Sequence, residues 1–105
     1  MYKEFFEELG TKVIETEYGW ANYIFYGESC YVENVYIKPE FRKKGMSSAI
    51  VDTIGKIAKE NGCINLLTTT NTKKDGVERS IQVILSYGFK YLRSDEGSIW
   101  YFKEL

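Results

Sequence analysis

Arg42, Lys43, Lys44 and Gly45 form a compact cationic stretch, and Met46, Ser47 and Ser48 follow it directly. Upstream lies a β-branched and aromatic run ending at Val35-Tyr36-Ile37; downstream, apolar residues recur at helical spacing. The stretch therefore reads as a loop leading from a strand into a helix. A helix N-terminus presents N–H groups without intrahelical partners and a partial positive charge, so it holds phosphates well. Gly45 lets a phosphate approach the backbone, the small Ser47 leaves the first turn open, and the cations add charge-assisted contacts to a multiply charged anion. The same residues also describe a solvated basic turn whose glycine serves turn geometry alone. Two phosphate motifs are excluded. No Gly-Lys-Ser/Thr follows a glycine at Walker spacing, and three spaced glycines of the dinucleotide type are absent.

The elements that must position this loop are legible on either side. Tyr2, Phe5, Phe6 and Leu9 recur at helical spacing before Gly10, which predicts a short amphipathic helix over residues 2–9. Strands are predicted at about 12–18, 20–26 and 30–37, punctuated by Gly19 and Gly27-Glu28-Ser29 as in an antiparallel meander. Pro39 ends the third by denying a ladder donor. From about Ser47, Ile50, Ile54, Ile57 and Ala58 make one apolar stripe, closed by Asn61-Gly62. Cys63 to Thr70 reads as a strand and Asn71 to Gly76 as a loop. A helix over 76–87 turns Val77, Ile81, Ile84 and Leu85 inward and stops at Gly88. Strands at about 89–94 and 98–104 flank the turn Asp95-Glu96-Gly97. The order is α-βββ-α-β-α-ββ, a mixed α+β class on one sheet.

Composition narrows the chemistry. A chain of 105 residues holds one core, so residues 1–105 are expected to form a single domain. No apolar run approaches the ~20 residues of a membrane span, and Met1-Tyr2-Lys3-Glu4 opens no signal-peptide hydrophobic region; no membrane partner and a cytoplasmic location are the expectations. Histidine is absent, which removes histidine triads, Cys–His dyads and the common zinc sites. No metal is expected. Cys30 and Cys63 form no CxxC pair and read as small buried hydrophobes. Charge is uneven: residues 1–35 carry two lysines against seven glutamates, and residues 36–105 carry twelve cations against eight carboxylates. That asymmetry suits a cationic partner on the first part and an anionic one on the second. Nucleic acid, through Lys38, Arg42–Lys44 and Lys73–Lys74, is disfavoured by a pI near 5.5.

The run Ile37-x-Pro39-x-x-Arg42-x-x-Gly45-x-Ser47 resembles the acetyl-CoA signature of the GNAT family of N-acetyltransferases, Val-x-Pro-x-x-Arg/Gln-x-x-Gly-x-Gly/Ala, with Ser47 in place of the usual Gly or Ala. Gly88-Phe89 after a helix resembles the Gly-Phe that opens the family's next strand. Cys63–Asn71 falls where the family has its fifth strand and a frequent asparagine. The resemblance spans residues 12–105. It implies a mostly antiparallel mixed sheet of about six strands, splayed between the family's fourth and fifth strands, which are the third and fourth predicted strands after Gly10. It further implies acetyl-CoA as co-substrate. Backbone groups near Val35 and Ile37 would pair with the pantetheine arm, and Arg42 through Ser48 (with Gly45, Met46 and Ser47 between) would cradle the pyrophosphate. Lys43 or Lys44 would reach the 3′-phosphate, and Asn71 would flank the arm from the other side.

Acetyl transfer from a thioester to an amine needs the amine neutral and the thiolate protonated as it leaves. Strand alternation puts Tyr31, Glu33, Val35 and Ile37 on one face, which makes Glu33 the candidate base; an ordinary solvent-facing glutamate is the other reading. The family's acid is a tyrosine four residues before Gly-Phe, and Ile84 stands there. Tyr87, one turn on, is the substitute candidate; Ser80 and Ser86 follow. The family also places a strand and two helices before its hairpin, whereas this chain offers only the stretch around residues 2–9. An acceptor site that is open, or completed by a second subunit of a homodimer, is what this implies. The expected function is N-acetyl transfer to a primary amine, small or lysine-like; the rival is a non-catalytic acyl-CoA-binding module on the same fold.

Overall fold

A computed structural model describes residues 10–105. The expected helix over residues 2–9 lies outside the described residues. From there the chain forms β1 (Lys12–Thr16), β2 (Gly19–Tyr26), β3 (Ser29–Ile37), a short 3-10 turn (Pro39–Phe41), α1 (Met46–Glu60), β4 (Asn65–Asn71), α2 (Val77–Ser86), β5 (Lys90–Asp95) and β6 (Ser98–Glu104). The expected order holds from residue 10 onward, with ends moved by a few residues. Two of these moves have clear causes. Cys63 belongs to the closure of α1, since its N–H donates to Ala58 O at 2.9 Å while Gly62 N–H donates to Lys59 O at 3.1 Å. Asn71 ends β4 instead of opening the loop, because it still pairs with Ser98.

The strands make one six-stranded sheet in the order β1-β2-β3-β4-β6-β5. Every neighbouring pair is antiparallel except β3–β4, which α1 joins as a parallel crossover. The amphipathic stripe of α1 buries Ile50, Val51, Ile54 and Ala58 against Cys30, Val32, Leu66 and Tyr101. Each isoleucine, valine or leucine among them contributes on the order of 1.5–3 kcal/mol when withdrawn from water. Ile81, Ile84 and Tyr87 set α2 against the same cluster, so both helices cover one face. Cys30 and Cys63 are buried and unpaired, as expected of small apolar fillers. Burial, then the neighbouring Cys63, pushes the Cys30 thiol up from 9.0 to about 12.

One sequence expectation fails in β3. Val32 pairs with Tyr23 and Asn34 with Asn22, which leaves Glu33 as an extra, unpaired residue: a β-bulge. Inserting one residue shifts a period of two by one place. Cys30, Val32, Val35 and Ile37 therefore share the helix-covered face, whereas Tyr31 lies on the other, bonding Thr69 Oγ1 at 2.7 Å beside Trp100. Tyr31 is thus not on the face of Val35 and Ile37, contrary to the expectation that grouped it with Glu33, Val35 and Ile37, because the bulge shifts the alternation by one residue.

Candidate active site

The bulge coincides with the point where β3 and β4 part. Their parallel ladder runs only from Ser29↔Asn65 to Tyr31↔Leu67. At the next step Thr68 Oγ1 donates to Val32 O at 3.0 Å, so a side chain satisfies the first carbonyl that the ladder no longer reaches. Beyond it the strands diverge. On the β2 side Lys38 N–H donates to Tyr18 O at 2.9 Å, and antiparallel alternation then makes Ile37 and Val35 members of non-bonded pairs with Gly19 and Ala21. Their N–H and C=O groups consequently point away from β2, into the gap vacated by β4. The tight β2–β3 approach here depends on Gly19, since a Cβ there would sit 2.0 Å from Tyr36 O.

The loop after Ile37 is held by its own arginine. Arg42 Nε donates to Ile37 O at 2.9 Å, and the guanidinium lies 5.7 Å from the centre of the Tyr36 ring. Arg42 is therefore a brace as well as a cation, and it already occupies the Ile37 carbonyl that was expected to meet a ligand. Gly45 caps α1 at φ 76°, a left-handed conformation that favours glycine, and no side chain caps this terminus. The first turn of α1 carries no acidic residue. Its N–H groups and partial positive charge at Met46, Ser47 and Ser48 are thus left without a local counter-charge. Lys43 also adopts a positive φ of 62°, uncommon for a residue with a side chain.

Two cavities meet at this point. An inner one of about 790 Å³ runs between the parted strands and under α2, lined by Glu33, Val35, Thr68, Asn71, Ile84 and Tyr87 among others. An outer one of about 420 Å³ lies between the loop and α2, lined by Ile37, Lys43, Gly45, Met46, Ser47 and Ser48. Arg42, Arg79, Val83 and Tyr87 line both, so the two spaces adjoin. The structure thus brings together every residue singled out for acetyl-CoA binding or catalysis except Lys44, which is exposed and lines neither cavity. Asn71 is there with its Oδ1 engaged, accepting from Lys73 N–H at 2.9 Å. Tyr87 sits at the C-terminus of α2 where Lys103 Nζ donates to its carbonyl at 2.7 Å.

Sequence reasoning missed Arg79 altogether, and it named Lys74 only as a nucleic-acid candidate, not as part of this site. Both line the inner cavity, and Arg79 the outer one too. Their chain positions lie some thirty residues from the loop, so no local motif could have joined them to it. Electrostatically the site is lopsided. Arg42, Lys43, Lys74 and Arg79 line it, and among the described residues none forms an ion pair. Among the described residues Glu33 is the one carboxylate in the lining of either cavity. Among those residues no cluster of His, Cys, Asp or Glu could hold a metal ion, and no helix is long and apolar enough to cross a membrane.

Comparison with known proteins agrees with this geometry. The curated thialysine N-epsilon-acetyltransferases of Bos taurus and Sus scrofa are similar at 30% and 35% identity over 71 residues, 68% of this chain. The chain spans 40% of the length of these relatives. Among solved structures, a GNAT family acetyltransferase from Elizabethkingia anophelis with acetyl-CoA bound shares the fold at a TM-score of 0.76 and 14% identity, covering 98% of this chain and 83% of that one. The profile described as "Acetyltransferase (GNAT) family" matches residues 6–89. With that match spanning most of the chain, and with the parted strands, the Gly45 loop and Gly88-Phe89 in their places, this chain belongs to the GNAT family of acetyltransferases.

Proposed function

We propose that residues 1–105 form a single acetyl-CoA-dependent N-acetyltransferase domain acting on a primary amine. The observation that carries this reading is the pair of adjoining cavities: one cationic beside an uncapped helix, the other between strands with outward-facing backbone groups. A nucleotide with a long amide-bearing arm matches both ends at once. Phosphates lie along Arg42–Ser48, and the arm enters the gap beside Val35 with Asn71 across from it. Lys43 serves the 3′-phosphate in this reading; Lys44, which lines neither cavity, does not. The name of the curated relatives favours an acceptor of lysine type, either a small amine or a lysine side chain.

The reaction forms a C–N bond and breaks the thioester C–S bond. Glu33, unpaired in its bulge and in the inner cavity, takes the proton that the acceptor ammonium must lose, directly or through water. Tyr87 lies where the inner and outer cavities join, and its hydroxyl has no hydrogen-bond partner among the described residues; it donates a proton to the leaving thiolate. The test is release of free CoA from acetyl-CoA with a panel of amines. Glu33→Gln is expected to lower kcat by about 10²-fold or more, most strongly at low pH where the amine is most protonated. Unchanged turnover would remove Glu33 as the base.

Ile84 motivates a second reading. It lines the inner cavity at the family's tyrosine position and has no proton to give. A non-catalytic acyl-CoA-binding module would be stabilised by acetyl-CoA, because a ligand that binds only the native state raises its stability. It would release no CoA with any amine.

A further inference from the structure

We infer that Arg79 is a second clamp on the diphosphate of the nucleotide, applied from α2 on the side opposite the Gly45 loop. This inference rests on the acetyl-CoA reading above. Four cations line the two cavities, and their placement divides them. Lys74 lines only the inner space and Lys43 only the outer one. Arg42 and Arg79 line both and so flank the passage where a ligand crosses from one to the other. In a molecule whose arm occupies the parted strands and whose nucleoside lies outward, the diphosphate is the part that occupies this passage. Arg42 already donates through Nε to Ile37 O and lies over Tyr36, which restricts the donors it can offer. Arg79 makes no hydrogen bond or ion pair among the described residues, so its whole guanidinium fork is available.

The position of Arg79 in its helix is a second, independent sign. It is the third residue of α2, within the first turn, where a cation opposes the positive end of the helix dipole. Gly76 caps this terminus without a side-chain bond. Glu78 is the acidic residue of that turn, but adjacent helical positions do not face each other, so it leaves Arg79 uncompensated. An anion in the passage would relieve both Arg79 and the helix end.

The test compares three ligands by calorimetry on wild type, Arg79→Gln and Lys56→Gln: CoA, 3′-dephospho-CoA and pantetheine. Arg79→Gln is expected to weaken CoA and 3′-dephospho-CoA equally, by roughly tenfold, and to leave pantetheine unaffected. Lys56→Gln, an exposed α1 position that lines neither cavity, should bind all three as wild type does. Arg79→Gln binding both nucleotides like wild type would overturn the inference alone. Loss confined to CoA would overturn it too, by moving Arg79 to the 3′-phosphate. Wild type that binds no CoA would instead overturn the acetyl-CoA reading and the inference with it.

Discussion

The same two strands behave oppositely at their two ends. From Ser29 to Tyr31 and Asn65 to Leu67, β3 and β4 form an ordinary parallel ladder with α1 packed across it. From Val32 and Thr68 onward they part, and the surroundings change character with them. The closed end is filled by Cys30, Leu66, Ile54 and Ala58, all but fully buried. The open end holds threonines, a lone carboxylate and unneutralised cations. The hydrophobic effect fixes the first end, and the free backbone and charge of the second become available only because the first is secure. Stability and binding are thereby assigned to different stretches of one strand pair.

That division makes definite expectations. The largest effect should come from the closed end: Ile54→Ala ought to cost about 2–5 kcal/mol in urea denaturation, through lost burial and a residual cavity. Loss of stability without loss of CoA affinity in the remaining folded protein would keep the two ends separate. Equal loss of both would merge them.

A second effect of the closed end is pH-dependent. The folded state holds the Cys30 proton to about 12, while an unfolded thiol ionises near 9.0. The stability this contributes is complete below pH 9 and is lost as pH rises from there toward 12. The decline should be shallower in Cys30→Ala; identical alkaline curves would show that the thiol is not sealed within the closed end.

The boundary itself carries the smallest effect. Thr68→Val leaves Val32 O without its donor and should cost about 1–2 kcal/mol. Hydrogen exchange should accelerate around Val32–Val35 and leave Ser29–Tyr31 protected. Acceleration spreading along the whole of β3 would mean that Thr68 supports the ladder and does not mark where it ends.

Several of these features could be read before any fold was known. The spacing from Ile37 to Ser47 located the outer cavity, because turn geometry, a helix N-terminus and cation placement are all local in the chain. Gly88-Phe89 and Asn61-Gly62 marked helix ends for the same reason. Glu33 entered the inner cavity as expected, but for a faulty reason: strict alternation was assumed across a strand that contains a bulge. Nothing in Val32-Glu33-Asn34 announces it, as there is no glycine or proline to mark the extra residue.

What the sequence by itself determined is therefore whatever neighbouring residues decide among themselves: the order of elements from residue 10, their caps, the apolar stripes of α1 and α2, and the cationic loop. Tertiary structure decided the rest. It parted β3 from β4, bound Arg42 back onto Ile37, left Lys44 outside both cavities and brought Arg79 and Lys74 to a loop some thirty residues distant. The reason is physical. Periodicity, capping and turn preference act within a few residues, whereas the meeting of a strand gap, a loop and a second helix depends on how three elements pack on one sheet face.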